Sequence, residues 1–387
     1  MSAEPLRVAA VITEWRKNSH ADVILSRLLE PQEWGHSRPF RLQLVSVYAD
    51  QFPPNGLCRP LCTKHGVPVF PSVVGAVGVG SKAVPVDGVI LIGEHGDYAT
   101  NPKGQRLYPR RRLFEQVVDA FRVLGRRVPV FSDKHLSYDW LFARWMYDLA
   151  RHEEIPLMAG SSLPVAWRLP ELELPNGVAL EDALALGYSD LDAYGFHALE
   201  ALQCMVERRA GGETGVASVR CVSGKEVWER LAPGTGTRAL LDALSPARRQ
   251  ANSRATEVQR LPTDTLFLID YADGLKATVA MLDSVGECFA FSSRRKGSDQ
   301  PDATVFDLEN VHPFGHFGHL VRAVEHMIAT GRPAYPVERT LMTTGLLSAL
   351  LQSRNEGGTT IHTPHLREVR YTPGHWPYAP GKSGLSA

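Results

Sequence analysis

Apolar runs alternate with amphipathic segments through the first 150 residues of the chain. The run Val8–Ile12 predicts a buried strand, and a predicted helix over His20–Leu29 follows it. Further strands are predicted at Leu42–Tyr48, Val67–Phe70, Gly88–Ile92 and Val128–Phe131, with helices at Leu57–His65 and Arg111–Leu124. Strands that alternate with helices are typical of a Rossmann-like, doubly wound parallel sheet. We therefore predict an α/β domain over residues 1–155.

The pattern changes after residue 155, where strand-like segments are separated by turns such as Asp273-Gly274. Such turns favour antiparallel pairing. Strands are predicted at Val216–Val222, Thr265–Tyr271, Ala277–Leu282, Glu287–Ser292 and Thr304–Asp307, with helices at Tyr194–Arg208, Phe317–Thr330 and Leu341–Ser353. We predict an α+β domain with a mostly antiparallel sheet over residues 156–372, and an irregular tail over residues 373–387.

Polar side chains follow the predicted parallel strands at the points where they end. Glu94, His95 and Asp97 come after one strand, and Asp133-Lys134-His135 come after the last. Ligands of doubly wound sheets bind beyond the carboxyl ends of the strands. We predict that these residues converge on one crevice, in which the substrate is bound by Glu94, His95, Asp97, Asp133 and His135.

The connection after the first strand stands where a dinucleotide-binding loop of the form Gly-x-Gly-x-x-Gly would lie. Its three glycine positions hold Thr13, Trp15 and Asn18. Each glycine of that fingerprint has a steric role, and an indole stands where phosphate oxygens would approach backbone N–H groups. If a dinucleotide binds, we expect it at these three residues and at the following helix N-terminus, with Asp50 accepting from a ribose hydroxyl.

Charge and composition narrow the classes of partner. The chain has 42 Lys and Arg against 42 Asp and Glu, so no net field favours nucleic acid or an anionic membrane. No apolar run approaches the roughly 18 residues of a membrane span. Five cysteines among 387 residues do not indicate a disulfide framework. We predict a cytoplasmic protein with a small-molecule substrate and without nucleic-acid or membrane partners.

Four segments in order resemble the glucose-fructose oxidoreductase / inositol dehydrogenase / rhizopine-catabolism family, written Gfo/Idh/MocA. They are residues 65–70 (His-Gly-Val-Pro-Val-Phe), residues 125–135 ending in Asp133-Lys134-His135, residues 195–200 (Gly-Phe-His-Ala-Leu-Glu) and residues 329–333 (Ala-Thr-Gly-Arg-Pro). The resemblance implies transfer of hydride between NAD or NADP and a sugar, polyol or related alcohol. It also implies a homo-oligomer.

The same resemblance assigns catalytic roles to Lys134 and His197, which would assist proton transfer, and places Glu200 in the acidic, substrate-binding position. Burial beside the strand would lower the pKa of Lys134 towards neutrality and make it a usable acid or base. The chain departs from the family pattern in its missing glycines and at Asp133 and His135, which stand where the family has Glu and Pro.

A divalent metal is a further interpretation of the same strand ends. Glu94, His95 and Asp97 carry oxygen and nitrogen donors that suit such ions. His316 and His319, spaced for one helix face, form a second group of candidate ligands. The alternatives are a turn capped by Asp97 and a histidine row that packs against the sheet.

A row of three cations, Arg110-Arg111-Arg112, begins a predicted surface helix. Cations at a helix N-terminus oppose the macrodipole, so they need another reason to lie there. An anionic group would supply one, and a solvated face is the alternative.

Three functions remain open from the sequence. The first is an NAD(P)-dependent oxidoreductase of the family type. The second keeps the crevice but performs a cofactor-independent or metal-assisted lyase, epimerase or hydrolase reaction on a carbohydrate-like ligand. The third is a ligand-binding protein without catalysis.

Overall fold

The computed structural model describes residues 4–35, 39–251, 260–374, 376–377 and 379. The strands are β1 (Leu6–Ile12), β2 (Leu42–Ala49), β3 (Gly88–Ile92), β4 (Val130–Asp133), β5 (Leu157–Gly160), β6 (Trp167–Leu169), β7 (Leu180–Gly187), β8 (Val216–Ser223), β9 (Thr265–Tyr271), β10 (Lys276–Met281), β11 (Phe289–Arg295), β12 (Asp302–Asp307) and β13 (Ile361–His362). The α-helices are α1 (Arg27–Leu29), α2 (Cys58–Lys64), α3 (Val73–Gly78), α4 (Arg110–Leu124), α5 (Trp140–His152), α6 (Ala193–Val206), α7 (Lys225–Arg230), α8 (Gly236–Gln250), α9 (Gly315–Thr330) and α10 (Val337–Asn355).

The chain divides into two compact units. Unit 1 comprises Met1–Ala99, Arg106–Ser162 and Glu309–Thr340, and unit 2 comprises Thr100–Gln105, Leu163–Leu308 and Leu341–Ala387. Neither unit is continuous in sequence. Residues 309–340 group with unit 1, although the boundary between the two domains was predicted at residue 155. Most of the predicted tail, residues 373–387, lies outside the described residues.

Unit 1 contains a parallel five-stranded sheet in the order β2-β1-β3-β4-β5. β1 pairs with both β2 and β3, so the strand order reverses beside it. Strands covered on both faces are continuously apolar, and every residue of β3 is buried. The predicted Rossmann-like sheet is confirmed. The predicted strand at Val67–Phe70 was wrong, because this segment forms only an isolated bridge from Val69 to Val47.

Unit 2 contains a mixed eight-stranded sheet in the order β13-β8-β9-β10-β7-β11-β12-β6. Its neighbours pair antiparallel except for β10 and β7, which run parallel. The predicted α+β domain is confirmed, but neither β7 nor α8 was predicted. The sequence of β7, Leu-Glu-Asp-Ala-Leu-Ala-Leu-Gly, is rich in good helix formers, and pairing on both sides overrides that propensity.

Among the described residues, no helix combines the length and the apolar character that a bilayer-crossing segment needs.

Candidate functional site

A buried charged cluster lies at the carboxyl edge of the unit 1 sheet. Glu94 follows β3 and Lys134 follows β4, and the Lys134 Nζ donates to Glu94 Oε1 at 2.9 Å. Arg110, in the first turn of α4, donates to Glu94 Oε2 at 2.6 Å and to His135 Nε2 at 3.0 Å. We call these four residues the Glu94 cluster. Both oxygens of the carboxylate are therefore paired with cations, which is the arrangement a buried charge requires.

Gly93 allows Arg110 to reach this position. A Cβ at residue 93 would lie 2.6 Å from Cγ of Arg110, closer than side-chain atoms approach each other. The absence of a side chain after β3 therefore lets the arginine fold over the strand end and point its guanidinium at Glu94.

Two residues of this edge have a left-handed backbone although neither is glycine. His95 has φ of 67° and Lys134 has φ of 62°. Such conformations cost on the order of 1–3 kcal/mol and persist where surrounding contacts impose them, often at functional sites. Here they turn the side chains of neighbouring strand ends towards one another.

The ion pairs control the charge of the Glu94 cluster. Burial would raise the pKa of Glu94, but the nearby Lys134 and Arg110 hold it well below its ordinary value. Burial would likewise lower the pKa of Lys134, yet Glu94 raises it above the ordinary lysine value. The prediction that burial brings the pKa of Lys134 towards neutrality was therefore wrong, because the adjacent carboxylate outweighs desolvation. Lys134 is a fixed cation.

Two histidines at this edge, one in the Glu94 cluster and one beside it, are held neutral. Burial, aided by the charge of Arg110, keeps the pKa of His135 well below its ordinary value. Burial also lowers the pKa of His95 to about 4. The His95 ring lies with Nδ1 3.0 Å from the Arg16 guanidinium, so Nδ1 accepts and Nε2 carries the proton.

A histidine and an aspartate form a second pair beside the cluster. His20 Nδ1 lies 2.7 Å from Oδ2 of the fully buried Asp133. The Asp133 carboxylate accepts from Nδ1 and orients the ring, an arrangement shared with catalytic Asp–His pairs.

Several buried polar atoms around this pair have no hydrogen-bond partner within the described structure. They are Oδ1 of Asp133, Oγ of Ser132, Oγ of Ser137 and Nε of Arg110. Buried polar groups are nearly always paired, so a group of exceptions calls for water or a ligand that supplies the partners.

The connection between β1 and the next helix, residues 13–21, holds the predicted cofactor-binding residues and differs from a dinucleotide loop. Thr13 donates to the carbonyl of Glu94 at 2.6 Å. Trp15 is fully buried, and its indole Nε1 donates to Asp22 at 3.4 Å. Asn18 has a left-handed φ of 61°, and its backbone N–H also donates to Asp22, at 2.8 Å.

Asp50, the predicted ribose acceptor, already accepts from three side chains. Tyr48 donates at 2.9 Å, Tyr98 at 2.6 Å and Arg112 at 2.7 Å. The two observations together test the fit of NAD(P). Four backbone donors of the β1 connection are used internally, and the carboxylate that would hold a ribose already accepts from three side chains, so these residues do not fit a dinucleotide.

The other predicted substrate residues lie in different surroundings. Asp97 is exposed, and its backbone N–H and carbonyl pair with the amide of Gln51. In unit 2, Glu200 is fully buried on α6 and accepts from Thr343 of α10 at 2.8 Å, a helix-to-helix contact. His197 is half-buried on α6.

His197 belongs to an aromatic group of unit 2. The Tyr194 and Phe289 rings lie 6.2 and 5.8 Å from its ring, and Tyr188 lies 5.1 Å from Phe289. Aromatic faces of this kind pack against apolar ring faces of ligands as well as against each other.

The metal hypothesis finds no support in the described part of the chain. No group of three or more His, Cys, Asp or Glu side chains there is arranged to hold a metal ion. Glu94 is committed to two cations, and His316 is buried against Phe317 at 4.7 Å. The remaining candidate ligand, His319, is partly buried, and this burial together with the nearby charge of Arg27 lowers the pKa of its imidazole.

Two residues of the site were not predicted from the sequence. His20 was assigned only to the start of a helix, and Arg110 was expected on a surface helix. The one available signal for Arg110 was its unfavourable position at a helix N-terminus, where a cation needs a buried carboxylate to hold it. The other two arginines of the row are also engaged, since Arg112 binds Asp50 and Arg111 stacks 4.5 Å from Trp145.

Comparison with known proteins identifies the fold. No protein-family model matches the sequence, and no curated protein is similar to it in sequence. Among solved structures, GenD2 from gentamicin A biosynthesis, in complex with NAD, matches with a TM-score of 0.58 and 15% identity over 94% of this chain and 97% of that chain. The apo scyllo-inositol dehydrogenase from Lactobacillus casei matches with a TM-score of 0.58 and 9% identity, over 94% and 99%.

A myo-inositol dehydrogenase from Corynebacterium glutamicum also matches, with a TM-score of 0.55 and 12% identity over 92% of this chain and 98% of that chain. The chain therefore shares the fold of GenD2 and of these two inositol dehydrogenases. At these identities the likeness concerns the fold, and the function must be argued from the residues.

Proposed function

We propose that the chain is an enzyme that acts on a hydroxylated small molecule of the sugar or polyol class, at the carboxyl edge of the unit 1 sheet. The observation that carries the proposal is the Lys134–Glu94 ion pair beside Asp133, whose buried Oδ1 has no partner within the described structure. Strained backbone and unpaired polar atoms at one strand edge are features of functional sites.

The charges of this edge favour a neutral ligand. Three carboxylates lie at this edge with three permanent cations: Glu14 pairs with Arg16, Glu94 pairs with Arg110 and Lys134, and Asp133 contacts His20. These formal charges cancel, so no Coulombic attraction selects an anion. Hydroxyl groups, which both donate and accept, match the mixture of donors and acceptors present.

Lys134 and His20 have different roles in this proposal. Lys134 stays protonated, so it donates to a substrate oxygen and stabilises negative charge that develops there. The Nε2 of His20 takes a proton, and the carboxylate of Asp133 stabilises the imidazolium that results. His197 keeps the proton-transfer role that the family resemblance implies, as a prediction for unit 2.

The redox version of this proposal is an NAD(P)-dependent oxidoreductase. Its support is the shared fold with GenD2, which was solved with NAD, and with the inositol dehydrogenases. The second version is a cofactor-independent lyase or epimerase, which moves a proton at a carbon beside a carbonyl. The specific observation that favours the second version is the β1 connection, whose residues do not fit a dinucleotide. The small-molecule substrate, a homo-oligomeric assembly and a cytoplasmic location remain predictions.

The test is turnover of inositols, hexoses and their keto and acid derivatives by the full chain. Reduction of added NAD or NADP detects the redox version, and exchange of a ligand C–H proton in D₂O, followed by NMR without cofactor, detects the second. We expect Lys134→Met to lose at least about 100-fold in rate, since an oriented charge-stabilising donor is removed. Lys82→Met, an exposed lysine of the same unit, is the matched control. Equal rates for Lys134→Met and wild type contradict the proposal.

A further inference from the structure

Rossmann connections bind a dinucleotide through features that can be checked one by one. Backbone N–H groups of the strand-to-helix turn must point outwards and be unoccupied, and the helix N-terminus must be open to a negatively charged pyrophosphate. A carboxylate after the second strand must be available for the ribose.

In this chain a side-chain carboxylate lies at the helix N-terminus. Asp22 begins the π-helical turn Asp22–Ser26, is buried, and accepts from the N–H of Asn18 at 2.8 Å and from the indole of Trp15. Ser26 donates a further hydrogen bond to it. Asp22 thus accepts from a backbone N–H of the turn that could otherwise bind a phosphate, and it carries the same sign of charge.

Three further N–H groups of this segment, those of Arg16, Ser19 and Asp22, are also used internally. The Oγ of Ser19 accepts from the N–H of Arg16 and from that of Asp22, both at 3.3 Å. Ser19 itself donates its N–H to the carbonyl of Arg16 at 3.0 Å.

Contacts to the segment before α2 hold the connection in this form. The carbonyl of the buried Trp15 accepts from the N–H of Leu57 at 2.6 Å, and Arg16 bridges to Gly56. Opening the turn for a phosphate would expose the indole and break these bonds.

The position that would bind the ribose is occupied by contacts of its own, separate from those of the β1 connection. Asp50 is shared by Tyr48, Tyr98 and Arg112, and the Gln51 amide makes two hydrogen bonds to the backbone of Asp97, at 2.8 and 3.1 Å. These contacts fasten the loop after β3 to the end of β2.

We infer that unit 1 carries its own anion, the Asp22 carboxylate, at the position of a dinucleotide pyrophosphate, and that it works without NAD or NADP bound there. The inference goes beyond the proposed function and stands apart from it, because it concerns the β1 and β2 ends and not the Glu94 cluster. If both are right, the reaction belongs to the proton-transfer class.

The first experiment is titration of the full wild-type chain with NADH, NADPH and ADP by fluorescence and calorimetry. A cooperative thermal melt of the same sample shows that it is folded. We expect no binding up to about 1 mM of each ligand and no rise in melting temperature. Saturable binding of either dinucleotide with a Kd below about 1 mM overturns the inference. That result leaves the Lys134→Met test of the proposed function unaffected.

The second experiment tests the role of the carboxylate, with inorganic pyrophosphate as the probe. Asp22→Asn removes the charge but keeps a carbonyl acceptor, and Asp119→Asn makes the same change at an exposed site on α4. We expect Asp22→Asn to bind pyrophosphate at least about 10-fold more tightly than wild type, and Asp119→Asn to match wild type. Equal affinity of wild type and Asp22→Asn, including no binding by either, overturns the role given to Asp22.

Discussion

The two halves of the unit 1 sheet edge use buried charge in opposite ways. At the ends of β3 and β4, Glu94 is paired with Lys134 and Arg110, while buried atoms such as Asp133 Oδ1 have no partner in the described structure. At the ends of β1 and β2, Asp22 and Asp50 each accept from three groups of the chain itself. The first half has hydrogen-bonding capacity for a ligand, whereas the second uses its capacity internally.

This difference shows why proteins of the same fold need not bind the same ligand. A doubly wound sheet brings strand ends together, but whether a strand end binds a ligand depends on which donors and acceptors the neighbouring side chains leave over. Substitutions in each half of the edge measure this difference.

The largest effect is expected at Arg110. Arg110→Met leaves Glu94 buried with one cation instead of two, and breaking a buried pair of this kind typically costs about 3–5 kcal/mol of unfolding free energy. Urea denaturation measures it. Arg7→Met is the control, since the Arg7 side chain is exposed and the expected cost is below about 0.5 kcal/mol. A loss as small as the control's would mean that the Glu94 cluster is not held by this ion pair.

A smaller loss is expected when Arg110 is displaced instead of removed. Gly93→Ala places a Cβ against Cγ of Arg110, and overpacking of this kind costs about 1–3 kcal/mol. The loss should shrink in an Arg110→Ala background, where Cγ is absent, so a double-mutant cycle by urea denaturation is the measurement. Strict additivity of the two changes would show that the glycine is required for another reason.

In the other half of the edge, Asp22→Ala should cost about 2 kcal/mol, because the N–H of Asn18 and the indole N–H of Trp15 lose their shared acceptor. Thermal and urea unfolding measure this loss. Asp119→Ala, at an exposed helix position, should change stability by no more than about 0.5 kcal/mol. A stable Asp22→Ala variant would argue that the turn is not closed by this carboxylate.

The smallest effect is a dependence of stability on pH. Because the pKa of His95 falls from its ordinary 6.5 to about 4, the unfolded chain takes up a proton that the folded chain refuses. Stability from this group is complete above pH 6.5 and is lost as the pH falls towards 4. We expect a loss on the order of 1 kcal/mol between pH 7 and pH 5, and a flatter profile for His95→Gln. If urea denaturation gave the same pH profile for wild type and His95→Gln, the lowered pKa of His95 would be contradicted.

Much of the β3–β4 half could be predicted, because the carboxyl ends of parallel strands meet at one edge. Glu94, Lys134 and His135 were therefore expected together, and they are. The partners were not predicted. His20 lies in the connection after β1 and Arg110 in the first turn of α4, and packing decides how both are turned relative to the sheet. No periodic pattern in the sequence marks the residue that turns towards a strand end.

What the sequence determined on its own is the order of buried strands and helices, and with it the parallel sheet, because strand periodicity and burial are local properties of the chain. It also determined that the glycines of the β1 connection are missing. Only the tertiary structure decided what replaces them and what charge Lys134 carries. The distance to a counter-charge, which controls the pKa of a buried group, is set by residues far apart in the chain, such as Glu94 and Lys134.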